Sequence, residues 1–128
     1  MKLFQLASVS LEPGDAAHFT GQTTLTRMIG VAENPSVNVY RVVFEPRART
    51  DWHTHSGPQL LLIVEGICRY QKWGEPVRDA AAGDLVSIAP NEKHWHGAAP
   101  DGRMVHYAFN LNAETSWMEK VSDGQYGG

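Results

Sequence analysis

Two short stretches of this chain each place a pair of histidines one residue apart: Trp52-His53-Thr54-His55 and Glu92-Lys93-His94-Trp95-His96. In an extended strand, residues i and i+2 point to one face. His53 and His55 can therefore reach a common centre, with Thr54 turned away. After the kink at Gly57-Pro58 a new strand begins, and Gln59 can return toward that centre. His94 and His96 repeat the arrangement, with Trp95 opposite. Five of the six histidines lie between residues 53 and 106. Imidazoles clustered in this way hold a divalent ion, and an amide oxygen beside them favours an octahedral site with open positions. Zn, Fe, Ni, Cu and Mn all suit such donors. Neutral His and Gln ligands would leave such an ion nearly its full +2 charge, which acidifies a bound hydroxyl or water. The chemistry then needs a general base. His96 and His106 are the candidates, because imidazole titrates near working pH.

The rest of the sequence limits the alternatives. A single Cys, Cys68, excludes an internal disulfide and any Cys-rich zinc site, so a metal must take nitrogen and oxygen ligands. Cys68 reads as a small buried hydrophobe within a strand. A net charge of -3, from 11 Lys and Arg against 14 Asp and Glu, argues against a nucleic-acid partner. The longest apolar run, Leu60 to Val64, is far short of a membrane span, and the N-terminus lacks a signal-peptide core. These features give the expectation of a cytoplasmic protein acting on a small-molecule substrate.

Elements that could position the histidines are short strands. Thr23–Ile29, Val37–Glu45, Leu60–Glu65, Ile67–Trp73, Asp84–Ala89 and Arg103–Leu111 are rich in β-branched, aromatic or aliphatic residues. Turns are marked at Pro13-Gly14, Asn34-Pro35, Gly83-Asp84 and Asp101-Gly102. The pattern predicts an all-β barrel or sandwich in one domain spanning 1–128, with a helical turn or two near Glu119–Tyr126. In the last strand Met104, His106, Ala108 and Asn110 share a polar, less bulky face suited to a cavity. Val105, Tyr107 and Phe109 share the other, which suggests sheet packing in a homodimer or higher homo-oligomer. Tyr40 and Val42 share a face, with Arg41 opposite. Trp52 and Trp95 should point away from the lumen and brace it. Trp73 and Trp117 read as packing or subunit contacts, His18 as a surface residue, and Arg47 and Arg49 as a solvated turn.

The sequence resembles the cupin superfamily. The first cupin motif appears as His53-Thr54-His55-Ser56-Gly57-Pro58-Gln59, running on to Glu65-Gly66. The second runs from Gly83-Asp84 through Pro90-Asn91-Glu92-Lys93-His94. The metal-binding motifs lie within 48–97. More narrowly, Phe19-Thr20-Gly21, Val43-Phe44-Glu45-Pro46, the segment Glu92 to Pro100, and the tail Trp117-Met118-Glu119 with Gln125-Tyr126 resemble the small bacterial cupins that include manganese-dependent hydroxynitrile lyases. The resemblance implies a jelly-roll-like β-barrel and a metal, Mn before Fe, Ni or Zn, held by His53, His55, Gln59 and His94. It implies that Thr50, His96 and His106 face the cavity as catalytic groups. Tyr40, Val42 and Asn110 would line the substrate pocket. The activity implied is a lyase acting on small cyanohydrin or carbonyl compounds. A metal-dependent cupin dioxygenase or other oxidoreductase, or a non-catalytic small-molecule binder, stands as the alternative. Tyr40 is large for a cavity position and should narrow the pocket. Asn91 stands where Gly is usual, and Asn tolerates the left-handed turn needed there.

Overall fold

The structure is a computed structural model, and it describes residues 1–127. Thirteen strands run along the described residues. They are β1 (Glu12–Pro13), β2 (Phe19–Thr20), β3 (Thr23–Glu33), β4 (Ser36–Phe44), β5 (Arg49–Thr50), β6 (His53–His55), β7 (Gln59–Glu65), β8 (Ile67–Lys72), β9 (Arg78–Ala81), β10 (Leu85–Ile88), β11 (His94–Ala98), β12 (Met104–Leu111) and β13 (Thr115–Trp117). A short helix, α1 (Asp123–Tyr126), follows. One sheet has the order β1-β3-β4-β12-β7-β10. The second has the order β13-β6-β11-β5-β2, with β8 also paired to β11 and β9 to β8. All pairings are antiparallel. Together they form the single all-β barrel that the strand pattern predicts, with the small C-terminal helix packed against its outside.

Alternation decides what faces inward. On β7, Gln59, Leu61 and Ile63 are buried while Leu60 and Leu62 between them are only half-buried. On β12, His106, Ala108 and Asn110 are buried while Tyr107 and Phe109 are half-buried. The inner apolar layer comprises Leu25, Val42, Phe44, Leu61, Ile63 and Met104, with Cys68 and Ala108. Burial pushes the Cys68 thiol up to about 12, so it behaves as the buried hydrophobe its sequence context suggests.

Every residue of β11 is buried on both faces. The inner face looks into the barrel. The outer face lies beneath a second cluster of Trp52, Trp95, Val121 and Tyr126. Trp52 and Trp95 therefore brace the His-bearing strands from outside, as expected from their alternation with the histidines. The C-terminal segment that covers them is held by Ser122, which caps α1 in a capping box with Gln125. Tyr126 Oη donates to the Ala98 carbonyl of β11 at 2.5 Å.

Arg49 departs from expectation. It is buried, not solvated. Its Nη2 donates to the Val121 carbonyl at 2.8 Å and to Asp123 Oδ1 at 2.9 Å, and its guanidinium lies 4.7 Å from the Tyr126 ring centroid. A buried guanidinium needs such partners, and the C-terminal segment supplies them. Arg47 remains exposed in the turn, at φ 72°. Asn91 adopts φ 65°, the left-handed conformation its position requires.

Candidate metal centre and active-site cavity

A cavity of about 440 Å³ opens between the two sheets. The first sheet contributes Tyr40, Val42, Gln59, His106, Ala108 and Asn110, and the second contributes Thr50, His53, His55 and His96. Register makes them converge. His94 lies opposite His53 across β11 and β6, His106 lies opposite Val42 and Ile63, and Asn110 lies opposite Gln59. His94 is buried beside the cavity, with its ring centroid 4.2 Å from that of His53. The His55 ring is 4.9 Å from His53 and 5.4 Å from His94. The imidazoles whose ligand atoms all lie within 4.8 Å of one another are His53, His94 and His96. Four imidazoles and one amide thus surround the centre.

The outer ring nitrogens are already committed. His53 Nδ1 lies 2.8 Å from the Asp51 carbonyl, and His94 Nδ1 lies 2.8 Å from the Glu92 carbonyl. A carbonyl only accepts, so each Nδ1 carries the proton and each Nε2 keeps a lone pair. His55 Nδ1 is bonded to Thr115 Oγ1 at 2.8 Å, and its Nε2 is buried without a partner. Gln59 donates from Nε2 to Asn110 Oδ1 at 2.7 Å, which turns its Oε1 to face His94 Nε2 at 3.3 Å. Two lone pairs then oppose each other, an arrangement that calls for a cation or a proton between the groups. Protonation is disfavoured: burial first, and then the neighbouring histidine charges, hold His53 well below its ordinary value and bring His55 down to about 4. Burial also lowers His94. The donor set therefore fits a divalent ion, and tethering of the outer ring nitrogens is how metal-binding imidazoles are commonly oriented.

His96 is wired differently. Its Nδ1 is 2.9 Å from Nε2 of His106, and both rings are buried against the edge of Phe44. His96 Nε2 and His106 Nδ1, the two outer ends of this pair, have no partner among the described residues. Burial, followed by the charge of the neighbouring His106, holds His96 well below the ordinary histidine value, and burial brings His106 to about 4. Both are neutral at working pH. Thr50 Oγ1 accepts from the His96 backbone N–H at 3.2 Å, which leaves its own hydroxyl proton free to donate.

Three residues here were not legible as site residues. Thr115 tethers His55 and comes from β13, which pairs with β6 so that Thr115 faces His55 and Trp117 faces His53. Trp117 lines the cavity, with its ring 4.7 Å from His53. It is thus a wall of the site, and not only a packing or contact residue. His18 is not a plain surface residue either. It is half-buried, lines the cavity and stacks on Trp117 at 4.4 Å with a 12° interplanar angle. The turn from Asp15 to His18, closed by His18 N–H donating to the Asp15 carbonyl, brings it there. Tyr40 lines the cavity.

A family model described as a cupin domain matches residues 40–109. The chain is 37% identical over 129 aligned residues to an (R)-mandelonitrile lyase of Granulicella tundricola, covering 98% of each chain. It is similar to the crystal structure of a cupin-like protein from Thermotoga maritima, with 36% identity and a TM-score of 0.84 over 98% of this chain and 95% of that one. The crystal structure of a putative acetylacetone dioxygenase from Methylibium petroleiphilum shares the fold, with a TM-score of 0.75 at 15% identity over 100% of this chain and 95% of that one. Barrel, histidine motifs and relatives agree: the chain belongs to the cupin family.

Proposed function

We propose that this protein is a divalent-metal-dependent lyase of the hydroxynitrile type, acting on small cyanohydrin or carbonyl substrates. The observation that carries the reading is the facing pair of lone pairs on Gln59 Oε1 and His94 Nε2, inside a ring of imidazoles with tethered Nδ1 atoms. In this reading His53, His55, Gln59 and His94 hold the ion, with manganese the preferred metal. The ion, when bound, supplies Lewis acidity to an oxygen ligand in a position left open. The likeness to the (R)-mandelonitrile lyase supports the choice of reaction.

The chain's own groups handle the proton. In cleavage the His96–His106 pair takes the hydroxyl proton of the cyanohydrin. The C–CN bond then breaks, with its electron pair leaving on cyanide as the carbonyl forms. The proton returns to cyanide, giving HCN. Two neutral imidazoles joined at 2.9 Å can share the positive charge, which lessens the cost of charging either one in a buried site. Thr50 can donate its free hydroxyl proton to the substrate oxygen. Val42, Ala108 and Phe44 offer an apolar wall to the carbon skeleton.

The test is mandelonitrile formation from benzaldehyde and cyanide by untagged protein, with and without added Mn. A rate above background that vanishes on chelation and returns with Mn is expected. No metal-dependent rate would reject the lyase reading, and substrate-dependent dioxygen uptake would replace it with the oxygenase reading. We also propose a homodimer built on the half-buried outer face around Tyr107, Phe109, Leu60 and Leu62. Light scattering after gel filtration should return twice the chain mass.

A further inference from the structure

The cavity is polar at both ends. The polar groups of its buried end are the imidazoles with Thr50, Gln59 and Asn110. Its rim holds Asp15, His18, Arg27, Tyr40 and Trp117. Arg27 is the one Lys or Arg among the described residues that line the cavity. Its Nε donates to Glu12 Oε2 at 3.1 Å, which fixes one edge of the guanidinium. Its Cζ lies 6.0 Å from the Tyr40 ring centroid, so the group lies along a side chain that lines the cavity. Among the described residues no acceptor engages Nη1 or Nη2. A guanidinium held in this way presents its remaining fork of N–H donors, a geometry that matches a carboxylate. Among the described residues the one acidic side chain lining the cavity is Asp15, whose Oδ1 accepts from the Ala17 N–H.

Register places Arg27 on the same sheet as Gln59, three strands along the cavity wall. Arg27 lies opposite Tyr40, Tyr40 opposite Ala108, and Ala108 opposite Leu61, the inward neighbour of Gln59 on β7. Strands lie about 4.8 Å apart, so β3 and β7 are separated by roughly 14 Å of sheet. A ligand that meets both Arg27 and the buried centre therefore carries its two polar groups at opposite ends of a short apolar body.

We propose that Arg27 is a specificity-determining residue, and that the preferred substrate is a carbonyl or cyanohydrin compound bearing a carboxylate at the end remote from the reacting carbon. The proposal rests on the lyase reading above and names the substrate class for the same cavity. The body of the ligand would cross the apolar middle formed by Leu25, Val42 and Ala108. Its carboxylate would sit on the free Arg27 donors beside Tyr40, and its carbonyl would point to the buried histidines.

The experiment is calorimetric binding of two probes to the protein as purified, benzaldehyde and 4-carboxybenzaldehyde, independent of turnover. The wild type should bind 4-carboxybenzaldehyde tighter by about ten-fold or more, as expected for charge-assisted hydrogen bonds. Arg27→Met should remove that preference while leaving benzaldehyde binding unchanged, which also reports that the variant is folded. Arg27→Lys should retain part of the preference. Equal or weaker binding of the carboxylate by the wild type would overturn the proposal and leave the lyase reading intact. A preference that survives in Arg27→Met would also overturn it, because the carboxylate would then be held at the buried histidine end. Failure of both aldehydes to bind would reject the lyase reading and this proposal with it.

Discussion

The two His-x-His pairs look alike in sequence and are wired differently. On β6 both outer nitrogens are tethered away from the cavity, His53 to the Asp51 carbonyl and His55 to Thr115. On β11 only His94 is tethered to a carbonyl, that of Glu92, while His96 turns its Nδ1 to His106. A nitrogen held by a carbonyl fixes the tautomer and leaves Nε2 as a lone pair aimed inward. An imidazole bonded to another imidazole has two tautomeric arrangements available and can pass a proton between them. The same spacing thus yields two hydrogen-bonding environments, and in the proposed function they separate the holding of metal from the handling of the proton. Proximity alone would group His53, His94 and His96. The proposed function instead takes His55 as the third imidazole ligand and His96 for the proton, on the strength of their different ring partners.

The largest effect that should follow from this asymmetry is loss of the metal. His53→Ala or His94→Ala should give protein that purifies without it and has no metal-dependent activity, as read by elemental analysis beside the cyanohydrin assay. Next in size, His106→Ala should lower kcat by about 10²- to 10⁴-fold while metal content stays that of the wild type. An equal loss of metal would place His106 among the groups that hold the ion. Thr115→Val keeps the shape of the side chain but removes the tether on His55. Metal affinity should fall roughly 10- to 100-fold, with little change in kcat at saturating metal. Unchanged affinity would remove the distinction between the two pairs at its outer end. The smallest effect belongs to Tyr126→Phe, which deletes one bond to β11 and should cost about 1 kcal/mol in chemical denaturation.

The pH dependence of the metal-free protein follows from the buried histidines. His55 and His106 are held near 4 in the folded chain, against an ordinary value of about 6.5 when unfolded. Between these values the unfolded chain binds more protons, so folding stability falls as pH drops from 6.5 toward 4 and is fully present above 6.5. Thermal melts of metal-free protein should show that decline. His106→Phe should make it shallower, because one of the groups that must charge on unfolding is gone.

Much of the fold and site is legible in the sequence because strand periodicity is strict. Histidines at i, i+2 share a face wherever the strand lies, and the Met104–Asn110 alternation by itself assigns His106 and Asn110 to the cavity. The long strands of the first sheet are visible in their β-branched and aromatic runs. What stays hidden depends on contacts between distant segments. Thr115 sits in Glu114-Thr115-Ser116-Trp117, which carries no metal signal, and matters only because β13 pairs with β6. His18 comes from a turn and Trp117 from β13, and they stack only once the barrel brings these distant segments together. Arg49 reads as solvated beside Arg47, but the C-terminal segment buries it with partners more than seventy residues away. The Asp51 and Glu92 tethers are backbone carbonyls, which residue type cannot reveal.

The central claim is that His55 belongs with the ion and His96 with the proton. Its most direct test is metal content per chain in untagged His55→Ala and His96→Ala, purified side by side under identical metal supply. The wiring predicts that His55→Ala loses most of its metal while His96→Ala keeps a wild-type content with little activity. The reverse result, metal retained without His55 and lost without His96, would contradict the account and return the site to the triad of His53, His94 and His96.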